Sequence, residues 1–258
     1  MYTIGPNFKS NTLDLFLDTT QLAKIGKSQV QVQNEFNELL KDQDVKLTFT
    51  FSDVRDISCS SKTTNCTPVI SALSGGVNGD TDLNTLSYKA TKGTDIGFVM
   101  AAHSANDNSN ANIVQSHTST RLVGNVDAID TNNCDCAFVH ADQGIGVDAE
   151  IWKNSSSNYD IVGKTNDSSQ SAGTWVYKVG ASTGLSLGEI TNNSGVTGFA
   201  SVVQIYHSGG DSGSTVFTLS GDNATVYGML IGSVNSTHAV FQPHDYIESR
   251  LVISTSTS

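Results

Sequence analysis

Apolar residues along most of this chain fall into short runs broken by clusters of Gly, Asn, Asp and Ser. Ile96-Gly97-Phe98-Val99-Met100, Thr174-Trp175-Val176-Tyr177, Val202-Val203-Gln204-Ile205 and Val226-Tyr227-Gly228-Met229-Leu230-Ile231 are examples. Each run is too short for a helix, and the spacing predicts strands of an antiparallel barrel or sandwich from Pro68 onward. The first part of the chain departs from this pattern. Thr12-Leu13-Asp14-Leu15-Phe16-Leu17-Asp18 alternates in part and predicts a strand. Between Gln29 and Lys41, Val30, Val32, Phe36, Leu39 and Leu40 form an approximate helical stripe. Val45-Lys46-Leu47-Thr48-Phe49-Thr50-Phe51 then alternates strictly, which predicts another strand. Residues 1–56 therefore read as a small β-α-β unit. The Ser/Thr/Cys/Asn segment Ser58–Thr67 follows as a loop or linker. We divide the chain into an N-terminal extension, 1–66, and a main domain, 67–258.

Composition narrows the class of molecule. Charged residues make up 15% of the 258, with 23 glycines and 3 prolines. Such a chain is neither a coiled coil nor disordered, and its length suffices for a large core. The net charge of −11 comes without a basic patch, which argues against nucleic-acid binding through phosphate neutralisation. No apolar run reaches the roughly 18–20 residues of a membrane-spanning helix. The N-terminal Met1-Tyr2-Thr3-Ile4-Gly5 lacks the features of a signal peptide. Four cysteines in two close pairs, Cys59/Cys66 and Cys134/Cys136, nevertheless fit an oxidising compartment. Sequons at Asn65, Asn154, Asn166, Asn192, Asn223 and Asn235 point weakly the same way, toward a secreted glycoprotein whose leader this chain lacks.

Three segments carry candidate chemistry. Gly97-Phe98-Val99-Met100-Ala101-Ala102-His103-Ser104 is an apolar strand that ends in a histidine. Cys134-Asp135-Cys136-Ala137-Phe138-Val139 places an acid at the head of a strand. Gly209-Gly210-Asp211-Ser212-Gly213-Ser214 is a small-residue turn around a serine. A serine hydroxyl needs a base that titrates near neutrality, and histidine is that base. The imidazole needs a carboxylate on its other nitrogen. The tetrahedral oxyanion needs backbone N–H donors in an uncrowded turn, which glycines permit. Each piece alone is commonly structural: a histidine after a strand, an acid at a strand end, a serine in a Gly/Ser loop. Together, in the order His103, Asp135, Ser212, they match the order of the chymotrypsin-type triad.

Residues 68–253 resemble the chymotrypsin-like serine peptidases, in particular the streptogrisin and α-lytic protease branch. Gly97–His103 is similar to that branch's G-F-V-T-A-G/A-H, and Gly210–Phe217 to its G-D-S-G-G-S-L-F. Lys178-Val179-Gly180-Ala181-Ser182-Thr183-Gly184, continuing to Gly188, resembles K-x-G-x-T-T-G…G. Val226–Gly232 followed by Phe241-Gln242-Pro243 resembles the ending G-L-T-S-G-G…F-F-Q-P. The resemblance implies an all-β fold of two six-stranded antiparallel barrels with the site between them. It implies a serine endopeptidase acting through an acyl-enzyme: His103 as general base, Asp135 orienting it, Ser212 as nucleophile, and the N–H groups of Gly210 and Ser212 as oxyanion hole. Leu230, Ile231 and Gly232 would pair with the substrate backbone and line the primary pocket. The rival reading is a catalytically silent binding or adhesion module on the same fold. The expected partner is a protein or peptide substrate, with no cofactor, no metal, no nucleic acid and no membrane span, and the chain is expected to be a monomer. An esterase of another fold is disfavoured because Ser214 stands where a nucleophile elbow has glycine.

Departures from the family qualify the picture. Ser104 stands where the family has Cys, Ser214 replaces a glycine, and Ile231 stands where Ser often supports the triad acid. For Cys59 and Cys66 a local disulfide is expected. For Cys134 and Cys136 an extended strand would make a bridge strained, so bridge and buried thiols both stay open. The spacings Cys-x6-Cys and Cys-x-Cys suit zinc poorly. His117, His140, His207, His244 and His238 read as structural, although His207 or His238 could select acidic side chains as pocket histidines of some relatives do. The N-terminal unit reads either as an ordinary structural extension or, by its resemblance in topology to the end of that branch's pro-regions, as a pro-segment, which would imply a zymogen cut between Asp56 and Ile70.

Overall fold

The computed structural model describes residues 2–7, 12–18, 27–39, 41, 46–52, 66, 68–80, 82–116, 121–154, 157–192 and 200–258. The chain divides into two compact units: residues 1–57 with 154–156, and residues 58–153 with 157–258.

In the first unit, β1 (Tyr2–Asn7), β2 (Thr12–Asp18) and β3 (Lys46–Ser52) form a sheet in that order. β1 runs antiparallel to β2, and β2 runs parallel to β3 with Thr12 opposite Lys46. Helix α1 (Gln29–Leu39) makes the crossover between the parallel strands. The expected β-α-β unit is thus present, with β1 as an added strand that the patterning left out. Ser28 starts α1 with a reciprocal cap: its hydroxyl accepts from Gln31 N at 3.2 Å, and Gln31 Oε1 accepts from Ser28 N at 2.7 Å. The predicted stripe is only partly buried. Val32 is buried, whereas Val30 and Leu39 are exposed. Leu40, Val45 and the linker up to Asn65, with Cys59, lie outside the described residues.

The second unit is built almost wholly of strands. One sheet holds β5 (Ser74–Val77), β6 (Asn84–Thr85), β7 (Lys89–Lys92), β8 (Asp95–Met100), β9 (Asn112–Gln115), β10 (Leu122–Asp130), β11 (Cys136–Ala141) and the late strand β20 (Ser254–Thr255). Its order is β20-β7-β8-β11-β10-β9-β5-β6, a curled half-barrel open between β20 and β6. The other sheet contains β14 (Trp175–Gly180), β15 (Gly184–Asn192), β16 (Ser201–Gln204), β17 (Thr215–Ser220), β18 (Asn223–Ser233) and β19 (His238–Pro243). These six close into a barrel, because β18 pairs with both β19 and β17. Beyond β18 the sheet continues through β13 (Ser157–Lys164), β12 (Val147–Asn154) and β4 (Val69–Ser71). The double-barrel expectation holds in this form, with one barrel closed and one open. β13 joins β18, and β4 joins β12, in parallel, which the antiparallel expectation did not include.

Each barrel has its own apolar interior. Val176, Ile190, Val203, Ile205, Val216, Leu230, Ala239 and Phe241 pack inside the closed barrel. Phe98, Val99, Met100, Val123, Phe138 and Val139 are fully buried in the half-barrel. Burial of one such side chain contributes about 1.5–3 kcal/mol. Pro243 precedes helix α2 (His244–Leu251), where its missing N–H costs no helical hydrogen bond. The helix ends at Val252 in the left-handed region, φ 56°. The chain then returns to pair Ser254 with Thr91 and Thr255 with Ala90 on β7. Among the described residues no helix is long and apolar enough to cross a membrane.

Candidate active site

Strand β8 delivers its last residue, Met100, opposite Ala137 of β11, so the segments that follow β8 and precede β11 come together. His103 begins a short 3₁₀ turn, His103–Ala105, at the mouth of this strand pair. Its backbone N–H donates to Asp135 Oδ1 at 3.0 Å and its ring Nδ1 lies 2.7 Å from Asp135 Oδ2. A carboxylate only accepts, so the proton is on Nδ1 and Nε2 keeps its lone pair. The hydrogen bond that the ring donates to Asp135 raises the His103 pKa above its ordinary value. Burial opposes the shift, and the charges of Asp135 and then Asp107 add to it.

Asp135 does not sit on an extended strand. Its φ is 49°, in the left-handed region, and β11 begins only at Cys136. The chain therefore bends sharply at the acid, and Cys134 and Cys136 form a disulfide across it. This corrects the expectation drawn from an extended strand. Asp is among the few residues that tolerate this backbone region. The preceding Thr131-Asn132-Asn133 cluster carried the turn signal. Cys66 is also disulfide-bonded, and no cysteine is free among the described residues.

The serine turn lies between β16 and β17. Asp211 N–H donates to Ser208 O, Gly213 N–H to Leu230 O, and Ser214 N–H to Asp211 O. The N–H groups of Gly210 and Ser212 have no acceptor among the described residues. Free and committed donors thus alternate along the turn. Gly213 has φ 92°, and a Cβ there would lie 1.9 Å from Thr85 O. Gly210 has φ 91°, and a Cβ there would lie 2.4 Å from Ser182 Oγ. Only glycine fits either site without a shift.

Beneath the turn lies a buried ion pair that sequence reasoning did not assign. Asp211 and Lys178 are both fully buried, with Nζ 2.8 Å from Oδ2. Thr183 Oγ1 donates to the same carboxylate at 2.5 Å, and the N–H groups of Thr183, Ser182 and Ser208 donate at 3.0, 3.1 and 3.1 Å. Burial alone would raise the Asp211 pKa. The Lys178 charge, then its hydrogen bond and those of Thr183, more than reverse this and hold the carboxyl below its ordinary range. The available signal was a lysine inside an apolar strand, Val176-Tyr177-Lys178-Val179.

The structure pairs His103 with Asp135 directly. It records no hydrogen bond from the Ser212 hydroxyl to the ring among the described residues. The serine turn and the histidine instead share a bridge through β6. Thr85 N–H donates to Ser212 O at 2.9 Å, Thr85 Oγ1 donates to Gly210 O at 2.7 Å, and Ser104 Oγ donates to Asn84 Oδ1 at 2.7 Å. The Ser104 hydroxyl is therefore satisfied. Ser214 is buried too, and its hydroxyl donates to Asp211 O at 2.5 Å. Leu230 N–H donates to Ser214 O at 2.9 Å, where β18 leaves β17 behind at Met229. Leu230, Gly232 and Ser233 pair with β19 on one edge, with a bulge at Ile231. Past Leu230 the other edge of β18 pairs with no strand among the described residues.

Of the remaining histidines, His117 lies outside the described residues and His140 is exposed. His244 is fully buried in α2, near Glu248. His207 and His238 are not joined to each other. His207 Nδ1 donates to Ile205 O at 2.8 Å, its Nε2 lies 2.8 Å from Ser233 Oγ, and Ser233 in turn donates to Asn235 O at 3.0 Å. His238 Nδ1 contacts Thr237 Oγ1 at 2.9 Å. No His/Cys/Asp/Glu cluster able to hold a metal occurs among the described residues.

No protein-family model and no curated protein matches the chain. Solved structures do. A glutamic acid specific serine protease, described as using a histidine triad in substrate binding, matches with a TM-score of 0.60 at 20% identity, over 73% of this chain and 100% of that one. Thermobifida fusca protease A matches at 0.59 and 18%, over 74% of this chain and 100% of its own. Cellulomonas bogoriensis chymotrypsin matches at 0.59 and 22%, with the same two coverages. The fold that carries His103, Asp135 and Ser212 is thus the double barrel of the chymotrypsin-like serine proteases.

Proposed function

We propose that the protein is a serine endopeptidase that cleaves protein or peptide substrates through an acyl-enzyme. Ser212 attacks the scissile carbonyl, and His103 Nε2 takes its proton and later passes it to the leaving amine. Asp135 holds the Nδ1–H tautomer and stabilises the imidazolium. The observation that carries the reading is the pair of uncommitted N–H groups at Gly210 and Ser212. They stand on a turn fixed from below by a buried ion pair, which is the preorganised donor arrangement that an oxyanion requires. The open edge of β18 at Ile231 and Gly232 accepts the substrate as an added strand, with Leu230 anchoring it to the turn.

The reading extends to the wider protein. It is secreted, acts as a monomer, and uses residues 1–66 as a pro-segment that is cut away from 67–258. His207 opens the loop leading into Ser212, and Ser233 follows the substrate strand. A histidine ring at this edge, His207 or His238, suits a carboxylate side chain in the substrate. Cleavage of a peptide library, read by mass spectrometry, should show Glu or Asp before the cut, and His207→Ala should erase that preference.

The decisive test is Ser212→Ala, which should abolish both hydrolysis and labelling by a fluorophosphonate probe. Labelling equal to the wild type would sink the assignment. The silent binding module is left open by Ile231, where a serine would otherwise support the acid, and by the N-terminal segment. A folded wild type that binds a protein ligand but never reacts with the probe would establish it.

A further inference from the structure

We infer that the Cys134–Cys136 disulfide is a positioning element for Asp135, closing a ring around the one residue whose carboxylate must be aimed at His103. The inference rests on the triad reading above. Four observations support it. The two cysteines are separated by a single residue, and that residue is the acid. Asp135 has φ 49°, a conformation that L-residues other than Asn and Asp seldom take. Both cysteines are buried, at 1% and 0% exposure, so the ring is held by packing as well as by its bond. Asp135 makes three hydrogen bonds to the histidine segment from this conformation. Its backbone oxygen accepts from Ala102 N–H at 3.2 Å, Oδ1 accepts from His103 N–H and Oδ2 from the ring.

A backbone flip at Asp135 would turn the carboxylate away from both nitrogens of His103 at once. The disulfide prevents that flip, because an extended Asp135 would draw the two sulfurs apart. Fold stabilisation is a poor account of the bridge. The entropy that a cross-link removes from the unfolded chain grows with the loop it closes, and this loop encloses a single residue. The hairpin turn before it is already tied by Asp130 Oδ1, which accepts from the N–H groups of Asn132 and Asn133, both at 3.0 Å. Arg250 further pairs with Asp130 from α2.

The test is Cys134→Ser/Cys136→Ser in the full chain, assayed on a chromogenic peptide over pH. We expect a thermal midpoint within a few degrees of the wild type, KM within about twofold, and kcat reduced about 10- to 100-fold, as for a small misplacement of a reacting group. The acid limb of the kcat/KM profile should move to lower pH, because the Asp135 hydrogen bond that raises His103 is loosened. Asp107, the other charge acting on that ring, is unchanged by the substitution. The same double substitution in an Asp135→Asn background should cost little more, since the acid it positions is already gone.

Wild-type kcat with an unmoved profile would overturn the inference. So would a variant that fails to fold, which would make the bridge a structural staple, or equal losses in both backgrounds. An Asp135→Asn enzyme as active as the wild type would instead defeat the triad reading.

Discussion

At the scale of the residue, His103 ties function to pH with a definite sign. In the proposed mechanism the base must be neutral to accept the Ser212 proton, and the His103 pKa lies above the ordinary 6.5. Activity should therefore rise with pH through a midpoint above 6.5. Asp135→Asn should lower that midpoint and reduce kcat by about 10⁴-fold, through loss of the correct tautomer. A pH–rate series on both enzymes checks both statements. The stabilising effect of the pair runs the other way. It is fully present below the unfolded-state pKa and disappears as pH rises through the higher folded-state value. At the pH of activity the His103–Asp135 contact thus orients a base and adds little to stability. The triad candidates were readable from sequence because the chemistry prescribes residue types. Lys178 was not, since its role depends on a partner brought by the fold from Asp211. The left-handed bend at Asp135 was passed over although Thr131–Asn133 signalled a turn, because the apolar run just after it suggested that the strand began earlier.

At the scale of the element, the serine turn holds two glycines that combine a positive φ with a crowded Cβ position, Gly210 and Gly213. Gly213 combines φ 92° with Thr85 O only 1.9 Å from a Cβ position. Gly213→Ala should lower the unfolding free energy by about 2 kcal/mol or more, measured by urea titration. Gly209, with nothing within 4 Å of a Cβ, should accept alanine with little change. Strands such as Ile96–Met100 and Val226–Ile231 were legible as short apolar runs between polar clusters. Their pairing was not. β18 carries partners on both edges in different stretches, β17 and β13 among them, and one also runs parallel to it. Periodicity reports which face is buried and says nothing of which neighbour supplies the ladder.

At the scale of the whole molecule, the buried Lys178–Asp211 pair couples stability to pH. Asp211 titrates below its ordinary 3.8 in the fold. Its contribution is complete above that value and is lost as pH falls through the lower folded-state one, which acid unfolding curves will show. Lys178→Met leaves a carboxylate buried without its counter-ion and should cost about 3–5 kcal/mol. Asp211→Asn with Lys178→Met should recover part of that stability while activity stays low, because the charge that held the donor turn is absent.

The strand exchange between the two sheets of this unit has a temporal meaning. β4 is made before the half-barrel yet lies in the sheet of the closed barrel, and β20 is made after the closed barrel yet edges the half-barrel. During synthesis neither sheet can be completed from its own contiguous stretch of chain. The half-barrel sheet must wait for residues 254–255, and the closed-barrel sheet must retain residues 69–71 from the outset. Assembly is therefore late and mutual, and a nascent chain halted before residue 254 should stay open to proteolysis at the β7 edge.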